Sequence, residues 1–174
     1  MEFLTGMLSV AATTLGLIEP FSKKMKTVLI YKFLVNSLVG INYLLTKSYS
    51  GALICAVAIL CLGINYVFTS KEREIPLRVV ILHSVMFLVA NLVTFAHIYD
   101  VLALVASLLF VLCIAQKSTK HYRLLYIGNS LIWIPYDILS QSYGNLFTHV
   151  VLALAILISI IIRDRMKSKT EAHL

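Results

Sequence analysis

Seven apolar segments, each about as long as a membrane span, follow one another along the chain with little sequence between them. A helix of about 20 apolar residues crosses a hydrocarbon core of about 30 Å. Backbone in lipid must satisfy its own hydrogen bonds, which favours helices. The pattern therefore predicts an all-α integral membrane protein with seven transmembrane helices. The segments are 2–20, 27–46, 51–69, 76–96, 98–116, 121–140 and 144–162.

The composition supports this class. Hydrophobic residues make up 60% and charged residues 13% of the 174 residues, whereas soluble domains carry about 25% charged residues. The net charge of +7 is divided among short clusters between apolar runs. This distribution argues against a nucleic-acid partner, which needs a basic face, and indicates membrane lipid.

The basic clusters predict the orientation of the chain, because Lys and Arg concentrate in cytoplasmic loops. With seven spans, thirteen basic residues fall on the side of the C-terminus and Lys47 alone on the other. The N-terminus is therefore predicted outside and the C-terminus inside, with 164–174 as a basic cytoplasmic tail. Lys32, inside the second segment, is expected to snorkel to the cytoplasmic face, and Glu19 to form a surface ion pair.

An internal repeat relates the second segment to the sixth with a shift of 93 residues. Seven identities support it, and the span boundaries stay in step. We therefore predict two parallel three-helix bundles, 1–70 and 98–163, joined by a linker helix at 71–97 (a 3+1+3 order). The identities are Lys24 with Lys117, Asn36 with Asn129, Ser37 with Ser130, Leu38 with Leu131, Tyr43 with Tyr136, Gly51 with Gly144, and Leu53 with Leu146.

The C-terminal half carries Arg123, the run W-I-P-Y-D at 133–137, Gly144 and a final apolar run ISIIIR that ends at Arg163. In these features the chain resembles the YgjV-type family of bacterial inner-membrane proteins. The resemblance implies the bacterial cytoplasmic (inner) membrane, and the family has no established biochemical activity. The helix order is also similar to that of the SWEET sugar transporters and the PQ-loop group, which implies transport.

Polar side chains within the spans are the candidate site residues, since lipid offers them no partner. Asn36 and Asn129 fall near the midplane, where they either line a solute cavity or hold helices together by hydrogen bonds. Trp133 is either a stacking wall for a solute ring or a packing and interface residue. Tyr43 and Tyr136 lie further out, where an aromatic belt is the alternative to solute binding.

Asp137 and His149 stand on either side of the turn before the last segment, so a helical hairpin brings them to a similar depth. An ionisable residue inside a span is a functional hypothesis by default. We interpret the pair either as a proton-sensitive gate or as an ion pair at the outer rim. The fourth segment carries His83 and Asn91 on one face, which either lines a cavity or packs against the bundles.

Enzyme signatures such as HExxH, GxSxG and the P-loop are missing from the sequence. We therefore predict no catalytic residue, metal site or cofactor. Cys55, Cys61 and Cys113 are interpreted as small hydrophobic residues, and Asn65 and Asn145 as structural amides. The leading hypothesis is a carrier or facilitator of a small polar solute, bound between the bundles. The alternative is a non-transporting accessory or scaffold protein, and the sequence leaves a homodimer open.

Overall fold

A computed structural model of the protein is all-helical. It describes the backbone of residues 2–47 and 49–171 and the side chains of residues 3–47 and 49–162. Seven α-helices occur in this part of the chain, which confirms the predicted helical class and number of helices. They are α1 (Glu2–Ile18), α2 (Met25–Leu45), α3 (Tyr49–Ser70), α4 (Leu77–Val93), α5 (Asp100–Ile114), α6 (Thr119–Leu139) and α7 (Tyr143–Glu171), with a short 3-10 turn at Glu19–Phe21.

The helices differ in how well they suit a bilayer. Four segments of the described chain are long and apolar enough to cross a membrane: Phe3–Phe21, Met25–Leu45, Tyr49–Ser70 and Tyr143–Ile162. Helix α6 has 21 residues but carries several polar and charged side chains. Helices α4 and α5, with 17 and 15 residues, are shorter than the segments predicted for them.

The short connection between α4 and α5 has a specific cause. The Oδ2 atom of Asp100 accepts hydrogen bonds from the backbone N–H groups of Ala96 and His97, both at 2.8 Å. These bonds form a turn at the predicted break between the fourth and fifth segments, 76–96 and 98–116. The break is longer than predicted, because α4 ends at Val93 and α5 begins at Asp100.

Helices that follow one another in the chain pack side by side. Helix α2 lies between α1 and α3, α6 lies between α5 and α7, and α4 contacts α3 and α5. Helix α1 also packs against α7, where the hydroxyl groups of Thr13 and Thr148 are 3.0 Å apart. The first and last helices thereby join the two halves of the chain.

The repeat is visible in the backbone, with a shift one residue larger than the identities predict. Each boundary of α2 recurs in α6 94 residues later, Met25 as Thr119 and Leu45 as Leu139. Lys47 and Gln141 have positive φ angles of 59° and 55° in the corresponding turns, a conformation that few non-glycine residues adopt. The identities and the helix boundaries of the two halves therefore follow shifts that differ by one residue.

The last helix extends beyond the predicted span. Helix α7 runs to Glu171, so the predicted tail at 164–174 begins inside the helix. The side chains of the tail and residues 172–174 lie outside the described part of the chain.

Candidate functional site

A cavity of about 310 Å³ lies in the middle of the molecule, between the two halves of the chain. Its upper walls come from the C-terminal ends of α2, α4 and α6 and the N-terminal ends of α3, α5 and α7. These ends meet at one end of the molecule, where three interhelical connections also lie. At the other end the cavity narrows to Lys32 and Tyr126.

Six of the seven candidate residues chosen from the sequence line this cavity: Asn36, Tyr43, Asn129, Trp133, Tyr136 and His149. The seventh, Asp137, is fully buried behind the wall and contacts His149. The structure thus brings the two groups of candidates, central and outer, to a single site.

The two asparagines use their amides differently. Asn129 on α6 is buried, and its Nδ2 donates to the backbone oxygen of Ala106 on α5 at 2.6 Å. Asn36 on α2 is only half-buried, and its Nδ2 donates within its own helix to the oxygen of Lys32 at 2.8 Å. Asn129 therefore ties two helices together, whereas the Asn36 amide bonds within α2 and lines the cavity.

Aromatic rings form a continuous wall on one side of the cavity. The indole of Trp133 stacks on the imidazole of His149, with centroids 5.6 Å apart and planes at 7°. Tyr136 stands nearly perpendicular to Trp133, at 5.2 Å and 84°, and contacts the ring of Tyr99 at 5.9 Å. Trp133 and His149 are thus parallel, whereas Tyr136 meets the rings of both Trp133 and Tyr99 at steep angles.

The Asp137 and His149 side chains form a close pair between α6 and α7. The Oδ2 atom of Asp137 lies 2.6 Å from Nδ1 of His149, and the exposed fractions of the two side chains are 0% and 18%. The other carboxylate oxygen of Asp137 has no hydrogen-bond partner among the described residues. The pair is thus the link between a buried carboxylate and a ring that faces the cavity.

The inner end of the cavity is closed by an ion pair that the sequence interpretation placed wrongly. Lys32 does not snorkel, and Glu19 is not at the surface. The Nζ atom of Lys32 is 2.8 Å from Oε2 of Glu19, and each side chain is 1% exposed. The chain turns at Pro20 directly after Glu19, which brings the end of α1 back against α2.

Two tyrosines of α6 complete this inner cluster. The hydroxyl of Tyr122 donates to Oε1 of Glu19. The ammonium of Lys32 lies over the ring of Tyr126, 3.6 Å from its centroid, where the quadrupole of the ring attracts a cation. The cluster of Glu19, Lys32, Tyr122 and Tyr126, here called the inner cluster, joins α1 and α2 to α6. The same rule that selected Asp137, an ionisable residue inside a span, would have found Lys32.

The remaining polar candidates have mostly structural contacts. Asn65 donates to the oxygen of Ile114 at 3.1 Å, and Asn91 donates to the oxygen of Phe87 at 2.8 Å and contacts Ser107 at 3.4 Å. His83 is buried at 1% exposure. Asn145, for which only a structural role was expected, lines the cavity.

Neither a metal-binding cluster nor a disulfide occurs among the described residues. They contain no group of three or more His, Cys, Asp or Glu side chains arranged to hold a metal ion. The three cysteines are buried and unbonded to one another. The acidic side chain that does line the cavity is Asp100, at the mouth.

Comparison with known proteins shows the family of this chain. No curated protein and no solved structure matches it, so the likeness to SWEET transporters stays a prediction. A family model described as "Bacterial inner membrane protein" matches residues 3–167. The resemblance and the multi-pass inner-membrane location are thereby confirmed, and the chain belongs to the Imp-YgjV family of bacterial inner-membrane proteins.

Proposed function

We propose that this protein is a carrier or facilitator of a small polar solute. The observation that carries the proposal is the central cavity of about 310 Å³, which polar and aromatic side chains from both halves of the chain line. This volume is at the small end of the range for ligand pockets, about 300–1,000 Å³. The site therefore suits a small solute, with Asn36, Tyr43, Asn129, Trp133 and Tyr136 as the contacts.

In this proposal all seven helices span the membrane as two parallel bundles, 1–70 and 98–163, with α4 in the linker between them. Local thinning of the bilayer accommodates the short helices α4 and α5. The basic residues orient the C-terminus toward the cytoplasm. The wide end of the cavity then faces outward, and the basic tail lies near anionic lipid headgroups.

The inner cluster supplies the closed gate of such a carrier. It lies directly below the cavity and connects the first half of the chain to α6. Two further contacts tie the same end: Ser159 of α7 donates to the oxygen of Pro20 at 2.9 Å, and Lys117 pairs with Glu74. In the proposed cycle, release of a solute inward requires these contacts to separate, and the described conformation corresponds to the outward-open state.

The Asp137 and His149 pair gives the outer half a proton-sensitive element. Histidine is the side chain whose charge changes near physiological pH. His149 stacks on Trp133 in the cavity wall, so a change at this pair reaches the site. The proposed consequence is a solute affinity that varies with pH.

Uptake into proteoliposomes tests the carrier proposal. Purified protein is reconstituted and offered labelled sugars, amino acids, organic cations and organic anions, with protein-free vesicles as the blank. We expect at least one solute to enter in a saturable manner. Trp133→Ala should reduce that uptake, while Leu131→Ala, on the exposed face of the same helix, should not. If Trp133→Ala leaves transport unchanged, the proposed solute site is wrong.

The rival function, a non-transporting accessory or scaffold protein, makes the opposite prediction. No solute of the panel would then cross faster than in the blank, and a specific protein would co-purify in stoichiometric amount. Cross-linking before purification, which also reports a homodimer, separates these outcomes.

A further inference from the structure

We propose that the mouth of the cavity binds an organic cation, with Asp100 as the counter-charge and Tyr99, Tyr136 and Trp133 as aromatic walls. This inference names the substrate class of the site described above and rests on the carrier proposal. It is carried by three observations: the charge balance of the cavity lining, the free oxygen of Asp100, and the geometry of the rings.

The charge balance of the lining differs between its two ends. At the inner end the positive charge of Lys32 is matched by Glu19, 2.8 Å away. At the mouth, Asp100 has no cationic partner among the described residues. Lys47 is exposed on the turn after α2. The imidazole of His97 lies 4.9 Å from the ring of Tyr99, tilted by 37°, and only the backbone N–H of this residue bonds the carboxylate. The charges of Lys32 and Glu19 therefore cancel at the inner end, whereas the mouth carries an uncompensated negative charge.

Asp100 has an oxygen to spare for a ligand. Its Oδ2 accepts the backbone N–H groups of Ala96 and His97, which accounts for the structural role of the residue. Its Oδ1 forms no hydrogen bond within the described chain, although the side chain is only 9% exposed. A carboxylate held in place by one oxygen and open at the other is preorganised for a cation.

The rings beside Asp100 have the arrangement that a cation needs. Tyr99 precedes Asp100 in the chain, and its ring meets that of Tyr136 at 67°. Tyr136 in turn meets Trp133 at 84°. A cation over a ring face is attracted by the quadrupole of the ring, most strongly when water is excluded. Walls at steep angles allow contact with more than one ring, which favours an alkylated ammonium over a compact hydrated metal ion.

Trp133 provides a direct assay, because it is the single tryptophan of the chain and lines the cavity. The full-length protein in detergent is titrated with choline and, separately, with dimethylbutanol, its uncharged carbon isostere. We expect saturable change of tryptophan emission with choline and an affinity at least about tenfold weaker for the isostere. Equal affinity for both, or no response to either, would overturn the proposal.

The variants Asp100→Asn and Glu72→Gln form a matched pair. The asparagine keeps an oxygen for the N–H groups of Ala96 and His97 but removes the charge. We expect it to weaken choline binding about tenfold or more, while Glu72→Gln, at an exposed acid outside the cavity, leaves binding unchanged. Wild-type affinity in a folded Asp100→Asn protein would contradict the proposal.

A second pair of variants decides the question if Asp100→Asn does not fold. Tyr99→Phe keeps the ring and should retain choline affinity, whereas Tyr99→Ala should lose most of it; equal affinities would overturn the proposal.

The failure of the cation-site proposal is distinguishable from the failure of the carrier function. Choline binding without uptake of any solute removes the carrier alone, and uptake of solutes without choline binding removes the cation site alone.

Discussion

The carboxylate of Glu19 and the ammonium of Lys32 meet at 2.8 Å inside the protein, each 1% exposed. Neither charge can reach solvent, and Lys32 lies at the inner end of the cavity. A buried charge is tolerated only when it is paired and hydrogen-bonded. The pair therefore requires the turn after α1, the first half of α2 and the tyrosines of α6 to come together in one place.

Removing one member of this pair should destabilise the protein strongly. Lys32→Met leaves Glu19 as an uncompensated buried charge, and we expect a cost of about 3–5 kcal/mol. The measurement is denaturant unfolding of the purified protein in detergent micelles, followed by circular dichroism.

The double variant Lys32→Met with Glu19→Gln is the control. It removes both charges, so its stability should recover toward wild type. If the Lys32→Met protein is as stable as wild type, the pair is not buried as described.

The two asparagines should differ in their effect on stability. Asn129→Ala breaks the bond from α6 to Ala106 of α5, which we expect to cost about 1 kcal/mol. Asn36→Ala removes a bond within α2 alone, so unfolding should change little. The same unfolding assay checks both variants, and an equal loss in the two would contradict the assigned contacts.

The His149→Ala variant should expose the dependence of Asp137 on its partner. It leaves a fully buried carboxylate without its hydrogen bond, and we expect a cost of about 3 kcal/mol. The emission of Trp133 should also shift to longer wavelength, because the stacked ring is gone. Adding Asp137→Leu should restore most of the stability. A stable His149→Ala protein with unchanged emission would refute the pairing.

The ion pair between Glu74 and Lys117 should be sensitive to acid. Hydrogen bonding and the charge of Lys117 lower the pKa of Glu74 below its ordinary value of 4.5. A lowered folded-state pKa means that the contribution of the pair is present above 4.5 and is lost as the pH falls through the folded-state pKa. Both side chains are mostly exposed, so this contribution is small and is screened by salt.

Carbon NMR of the Glu74 carboxyl measures this shift. In the Lys117→Ala variant the pKa of Glu74 should rise back toward 4.5. A titration that does not move would show that the pair does not form in solution.

Helix positions and several site residues followed from the sequence because both depend on short-range patterns. Apolar runs of span length predicted all seven helices, and polar side chains within them singled out Asn36, Trp133 and His149, which share the cavity. The hairpin at Tyr143 was enough to predict the approach of Asp137 to His149.

Contacts between distant helices could not be predicted in this way. Lys32 was placed at the membrane surface because its long side chain can reach it, and nothing local shows that Glu19 folds back beside it. The break before Asp100 was predicted but its length was not, because that length depends on bonds to backbone N–H groups, which hydropathy does not register. The identities predicted a shift of 93 residues, whereas the boundaries of α2 and α6 differ by 94.

Uptake by the Asn36→Ala variant, compared with Ser37→Ala, tests the central claim most directly. Both residues lie on α2 and donate to a backbone oxygen four residues earlier, but Asn36 lines the cavity and Ser37 does not. If the cavity is the solute pathway, Asn36→Ala should reduce solute uptake about tenfold, as expected for a lost polar contact of about 1.4 kcal/mol, and Ser37→Ala should transport like wild type. Equal uptake by the two variants and wild type would contradict the account.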